Sequence, residues 1–364
     1  MGNELWQVPD DLSGTNRPGT AGEGGPPGPL ATAGPGLPVG IDVGTSKIVV
    51  ARNRSAGGAL ETSMQLNAFI PVPYSGFTEA TLTQRTIPFY RRDDELVIYG
   101  TAAEQFANMF NAEFRRPMAH GMLNPKEPLA MPVLEAIVRT LLPAAQSAGQ
   151  ALAFSVPATD EDRSAQLTYY EATLRQHFDI LGYRAKAINE GMAVIFAELY
   201  EQNFTGIGIS CGGGMCNVAL SYLSIPHILY AVPKGGDFID GAAATVLNEH
   251  AARVKLIKEE GLDLSRPPRG RYENALHVYY RDLVKTLVTS LRREVSRAEN
   301  LPHHGEPIPI VLSGGVAKPR GFKELFEQTL MEPPFPVQIS EVRVARDPLT
   351  ATARGALIAA KYER

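Results

Sequence analysis

Two glycine-centred segments, far apart in the chain, constrain its fold more than any other feature. The first is Val39-Gly40-Ile41-Asp42-Val43-Gly44-Thr45-Ser46-Lys47-Ile48-Val49-Val50. The second is Ile209-Ser210-Cys211-Gly212-Gly213-Gly214-Met215-Cys216-Asn217-Val218-Ala219-Leu220. Each reads as an apolar strand, a tight glycine turn with small polar residues, and a second apolar strand. Glycine lets backbone N–H groups approach phosphate oxygens closely. One such hairpin is an ordinary turn. Two in one chain imply a duplicated fold that grips a phosphate chain from both sides.

At 364 residues, 44% hydrophobic and 20% charged, the chain is long enough for two globular domains. A net charge of -4 gives no electrostatic case for nucleic-acid binding. Cys211 and Cys216 are too few for a disulfide scaffold or a zinc site. They read as small buried hydrophobes in a protein of the reducing cytoplasm. No apolar run approaches the roughly 20 residues that span a bilayer. Met1-Gly2-Asn3-Glu4-Leu5-Trp6 lacks the basic region and apolar core of a signal peptide. Residues 1–38 hold 9 Gly and 7 Pro. They are expected to form an unstructured tail, because they offer too little apolar surface to offset ordering entropy. Leu5-Trp6-Gln7-Val8 is its one apolar patch and a candidate docking motif.

The pattern places strands at Gln65–Val72, Thr81–Tyr90 and Leu96–Tyr99, and helices at Ala102–Phe110 and Leu129–Ala148. Strand Ala151–Val156 then leads into helix Thr159–Phe178, strand Arg184–Ile188 and helix Gly191–Glu201. After the second hairpin come strand Ile225–Ala231, helix Asp237–Lys258 and the amphipathic helix Leu276–Ala298. Strand Ile308–Leu312, helix Gly321–Leu330, strand Pro336–Ile339 and helix Thr350–Lys361 complete the chain. Strands alternate with helices in both halves, which implies α/β layers with a partly parallel sheet in each.

Several motifs carry a resemblance. Gly40-Ile41-Asp42-Val43-Gly44-Thr45 is similar to G-I-D-L-G-T. Arg116-Pro117-Met118-Ala119-His120-Gly121, Ile188-Asn189-Glu190-Gly191-Met192-Ala193, Gly235-Gly236-Asp237-Phe238-Ile239-Asp240, Leu312-Ser313-Gly314-Gly315-Val316-Ala317 and Asp347-Pro348-Leu349-Thr350 follow in order. Together they resemble the actin superfamily, and within it the bacterial MreB/MamK-like cytoskeletal proteins. The resemblance runs from Val39 to Tyr362. It implies an actin-like, ribonuclease-H-like duplicated α/β fold with two lobes around a central nucleotide cleft. The expected divisions are a first lobe at 39–205 with a small insertion at about 55–110, and a second lobe at 206–345 with a reduced insertion at 241–275. Residues 346–364 would pack a closing helix back on the first lobe.

By the same resemblance, ATP or ADP sits in the cleft with Mg²⁺. Gly44, Thr45, Ser46 and Lys47 would meet the outer phosphates from one side, and Gly212, Gly213 and Gly214 from the other. Asp42 would hold Mg²⁺ through water, because Mg²⁺ keeps several waters and takes one or two carboxylates. Lys255, Gly314, Gly315 and Val316 would lie along the adenosine. Glu190 would position the attacking water.

The departures are as informative. Ser210 stands where the family pattern has aspartate, and Met215 where it has threonine. The adenosine-contact glutamate is lost, leaving Lys255, and Gly191 replaces a proline. Gly261–Arg271, with its basic Arg266-Pro267-Pro268-Arg269-Gly270-Arg271, reads as a loop in a shortened insertion. Two readings follow. One is an ATP-binding actin-like filament protein with weak hydrolysis, cytoplasmic and peripheral at most to the inner membrane. The other is a non-polymerising nucleotide-binding scaffold. The expected partner is the chain itself, with a membrane or an adaptor protein as further candidates. A kinase would need a substrate-facing catalytic aspartate, and a chaperone a further peptide-binding domain.

Overall fold

The computed structural model describes residues 36–55, 58–110, 112–159, 161–298 and 306–362. The tail expected over 1–38 lies, as far as residue 35, outside the described residues. The first half opens with β1 (Val39–Val43), β2 (Lys47–Asn53) and β3 (Leu60–Leu66). A separate three-stranded sheet, ordered β4-β6-β5, comes from β4 (Phe69–Pro73), β5 (Phe89–Arg92) and β6 (Glu95–Tyr99). It carries α1 (Gly76–Gln84) and α2 (Thr101–Phe110). A short ladder of β7 (Met118–Ala119) and β8 (Met122–Leu123) leads to α3 (Ala130–Leu141). Then follow β9 (Gln150–Val156), α4 (Ser164–Ile180), β10 (Tyr183–Asn189) and α5 (Glu190–Glu198). The second half holds β11 (Gly206–Cys211), β12 (Cys216–Tyr222), β13 (Ile225–Val232), α6 (Gly236–Leu247), α7 (Ala251–Gly261) and α8 (Gly270–Arg297). It closes with β14 (Ile308–Ser313), α9 (Phe322–Met331), β15 (Ile339–Val344) and α10 (Ala351–Lys361).

The two large sheets have one topology. Their orders are β3-β2-β1-β9-β10 and β13-β12-β11-β14-β15. In each, an antiparallel three-strand meander is followed by two parallel strands. The parallel pairs require crossovers, which the helices supply. The duplicated fold expected from the paired hairpins is the fold of the chain, an α/β unit repeated twice.

Each sheet buries its own core. On the second, α8 presents Leu276, Tyr280, Leu283, Val284, Leu287 and Leu291 at helical spacing. Between the sheets lie α5 and α10, and there the packing is backbone to backbone. A Cβ on Gly355 of α10 would lie 1.7 Å from Ala193 O of α5, and one on Gly40 of β1 would lie 2.2 Å from Ala353 O. On the other side, a Cβ on Gly208 of β11 would lie 2.3 Å from Gly191 O. Ala193, Ala351, Ala353, Ala356 and Ala360 fill the same seam. Gly191, in place of the family proline, therefore lets α5 lie directly on β11 and β12.

Several elements differ from their sequence expectation for local reasons. The strand expected at Thr81–Tyr90 is α1 followed by β5: Ser75 caps the helix by accepting from Thr78 N, and Pro88 separates it from the strand. Gln65–Val72 divides between two sheets at Asn67, whose side chain donates to Gly44 O. Helix Leu129–Ala148 stops at Leu141, ahead of Pro143. The helix expected from Thr159 begins with a 3₁₀ turn at Glu161–Arg163 and runs to Ile180. Asp237–Lys258 is two helices, broken at Asn248 in the left-handed region. The last strand lies three residues later than expected, at Ile339–Val344. The loop Gly261–Arg271 is shorter, because α7 reaches Gly261 and α8 starts at Gly270. Its arginines are engaged within the molecule: Arg266 forms a two-pronged pair with Glu273, and Arg271 pairs with Glu249.

One buried group makes stability pH-dependent. His177 of α4 is 4% exposed and faces Glu135 and Arg139 of α3. Burial lowers its pKa from 6.5 to about 4, and Arg139 pushes the same way. It is neutral at pH 7, so its 3.6 Å approach to Glu135 is not an ion pair. The unfolded chain binds this proton first, so the contribution is complete above pH 6.5 and lost as pH falls toward 4. Between those limits the loss is about 3 kcal/mol. Urea unfolding at pH 7 and pH 4.5 should show that His177→Leu flattens this decline.

Candidate functional site

The two hairpin turns meet tip to tip at a cleft of about 480 Å³ between the halves. Every residue singled out from the sequence lines it: Asp42, Gly44, Thr45, Ser46, Lys47, Glu190, Ser210, Gly212, Gly213, Gly214, Lys255, Gly314, Gly315 and Val316. The close approach explains the glycines. A Cβ on Gly213 would lie 2.0 Å from Ser46 Oγ, and one on Gly214 would lie 2.6 Å from Thr45 Oγ1. Gly314, at φ +89, leaves no room either, since its Cβ would lie 2.1 Å from Cys211 O. Thr45 Oγ1 accepts from Gly121 N at 3.0 Å, so the first turn is pinned to the loop after Arg116.

Two carboxyl groups share the floor. Asp42, at the end of β1, accepts from Ser155 Oγ at 2.6 Å. Burial pushes it up to about 6, with that hydrogen bond opposing. Glu190, the first residue of α5, accepts from Ser210 Oγ at 3.0 Å. Burial and the Asp42 charge push it up to about 8, against the hydrogen bond from Ser210. Glu190 is therefore mostly protonated at pH 7. Ser210 is a neutral donor beside two crowded acids, where a third carboxylate would add repulsion.

Lys47, Lys255, Lys258, Lys318 and Arg320 line the cleft, and so do the acids Asp42, Asp237, Asp240, Glu190 and Glu259. Burial lowers the Lys47 pKa, and Lys318 and Lys255 act in the same direction, while Glu259 and Glu104 oppose them. Among the described residues Lys47 makes no ion pair. Lys258 of α7 pairs at 2.7 Å with Asp240 of α6, both nearly buried.

Two ion pairs bridge the halves at the cleft, and neither pairing is read from the sequence. Arg116 reaches across to Asp237 at 2.6 Å and also donates to Ser46 Oγ at 3.3 Å. Lys255 pairs with Glu104 of α2 at 2.7 Å, over the Phe114 ring. Lys255 and Lys258 are three apart on α7 and share a face; that spacing was the available signal for Lys258. Nothing in the sequence pairs Arg116 with Asp237, or Lys255 with Glu104.

The arrangement fits a magnesium-bound polyphosphate. Lysines reach a cradle that a single Cβ would fill, beside Asp42, whose carboxyl burial holds above its ordinary value.

The family model described as Volactin matches residues 37–360. The chain belongs to the Volactin family. No curated protein sequence matches it. This Volactin-family chain is similar in structure to a MamK double helical filament, with a TM-score of 0.67 and 17% identity over 90% of this chain and 99% of that one. It is similar to a non-polymerising MamK mutant bound to AMPPNP, with a TM-score of 0.57 and 16% identity over 90% and 100%. It is similar to MreB 5 of Spiroplasma citri bound to AMPPNP, with a TM-score of 0.62 and 11% identity over 87% and 94%. At these identities the likeness carries the actin-like fold. Among the described residues of the Volactin-family chain no helix is long and apolar enough to cross a membrane.

Proposed function

We propose that the chain is an actin-like filament protein whose assembly is governed by ATP or ADP, with Mg²⁺, bound in the interlobe cleft. The observation that carries this reading is the convergence of Lys47, Lys255 and Lys318 on two interlocked glycine turns. Backbone N–H groups of Gly44–Ser46 and Gly212–Gly214 are placed to cradle phosphates, and Lys47 to neutralise them. Asp42 would hold Mg²⁺ through water. When bound, the nucleotide supplies the phosphoanhydride bond and the metal neutralises charge that develops on it.

Glu190 is the candidate water-positioning residue. Ser210, where the family pattern has aspartate, brings no negative charge for the metal or for the attacking water. Hydrolysis is therefore slow. Ser210→Asp should raise phosphate release in MgATP severalfold, and Glu190→Ala should remove the gain. The check is a steady-state phosphate assay; a fast wild-type rate would contradict this account.

Head-to-tail assembly is the form of self-association this reading requires. A contact between two different faces that does not close into a ring propagates into a filament. Pelleting with negative-stain microscopy should show polymers with MgATP and few without it. The second reading, a non-polymerising nucleotide-binding scaffold, is favoured by Ser210 in place of aspartate. It is the conclusion if the chain stays monomeric across nucleotide, salt and concentration while still binding ATP.

A further inference from the structure

A second pocket of about 490 Å³ shares no lining residue with the cleft. Its walls are Ile188, Phe196, Phe204, Ile358 and Tyr362, with Lys186. Tyr362 is 72% exposed, and Tyr200, stacked edge-on to Phe204, is 69% exposed. Beside them the β12–β13 turn is Leu223-Ser224, with both residues at positive φ. Such a turn favours Asn-Gly, yet here it presents Leu223 at 60% exposure. Asn203 and Phe204, in the facing loop, are also left-handed, and Ser224 N donates to Phe204 O. Four non-glycine residues thus hold a costly conformation around one apolar pocket, which is where function tends to be built.

We propose that this pocket is a docking site for the chain's own segment Leu5-Trp6-Gln7-Val8. The place where the described chain begins supports that occupant. Gly36 N donates to Ser147 Oγ at 2.7 Å, and Gln150 Nε2 donates to Leu37 O at 2.5 Å. Gln150 opens β9, and Ala153 of the same strand lines the pocket, about 10 Å further along. The 27 residues 9–35 join that anchor to Val8. At up to about 3.3 Å per residue, that length of chain exceeds the gap several times over, and attachment to the same chain makes the encounter intramolecular.

Charge agrees with this occupant. Glu4, Asp10 and Asp11 flank the apolar segment, with no cation before Arg17. Lys186 lines the pocket, Arg184 lies two residues before it on the same face of β10, and Lys361 precedes Tyr362. Trp6, with Leu5 and Val8, supplies a large rigid apolar side chain of the kind that anchors interfaces.

Trp6 is the chain's only tryptophan, so the emission of the full chain reports on this segment alone. The inference stands apart from nucleotide binding, and the measurement needs no nucleotide. Docking predicts blue-shifted Trp6 emission and acrylamide quenching severalfold below that of a free tryptophan amide, both unchanged on dilution. Ile358→Glu, at a half-exposed pocket position, should restore free-dye emission and quenching while leaving the thermal melt cooperative. If that variant fails to fold, Arg184→Glu with Lys186→Glu, both exposed, should give a partial red shift. Solvent-like emission from the unaltered chain would overturn the proposal. So would a blue shift that Ile358→Glu leaves unmoved, which would mean another docking place. A blue shift lost on dilution would make the occupant the segment of a second copy, again against docking within one chain.

Discussion

Replacing Gly213 with valine should abolish the thermal protection expected from MgATP. A ligand specific for the native state stabilises it by about 2.7 kcal/mol when present at a hundred times its Kd. The unaltered chain should therefore melt several degrees higher in MgATP. A valine at position 213 brings its Cβ within 2.0 Å of Ser46 Oγ and 3.1 Å of Ser46 Cβ, so Ser46 must turn away and the branched side chain fills the space between the two turns that a phosphate would use. Differential scanning fluorimetry with and without MgATP reads both effects. The nucleotide-free melt shows whether the variant is folded. Lys47→Met, which removes charge without bulk, should lose most of the shift too. A full shift in either variant would place the binding energy elsewhere.

The second large effect concerns stability. Gly355→Val should cost more than about 4 kcal/mol, the range reserved for gross clashes in a packed interior. The new Cβ would sit 1.7 Å from Ala193 O, and both neighbours are helix backbones that cannot rotate aside. Even Gly355→Ala should be severely destabilising. Gly241, in the middle of α6, is the control: a Cβ there meets nothing within 4 Å. Gly241→Ala should be neutral or stabilising by about 1 kcal/mol, through helix propensity. Thermal melts of the three variants give the comparison. Comparable behaviour of Gly355→Ala and Gly241→Ala would show that the helix pair can spread.

Duplication and cleft were legible in the sequence because both hairpins are local, and local backbone requirements leave glycine in fixed places. The helices that cover the sheets were legible from their periodicity, as in α8. Thr81, Thr83, Thr86 and Ile87 hid the end of a helix inside an expected strand, since β-branched residues favour strands on average, while Ser75 caps α1 and Pro88 stands between it and β5. What no pattern announced were the contacts between distant segments: Arg116 with Asp237, Lys255 with Glu104, and Gly355 against Ala193. Each is created by the fold, and none is visible until the two halves are superposed across the cleft. Lys255 shows the difference well. The motif assigns it to the adenosine, and the structure engages it with the opposite half.

The alanine and glycine seam between α5 and α10 has a mechanical consequence. Two sheets joined through large interlocking side chains can shift only by repacking. Two joined through smooth helix backbones can roll, because there are no tall ridges to climb. A roll about this seam would have to break the ion pairs Arg116–Asp237 and Glu104–Lys255, which tie the two halves together at the cleft.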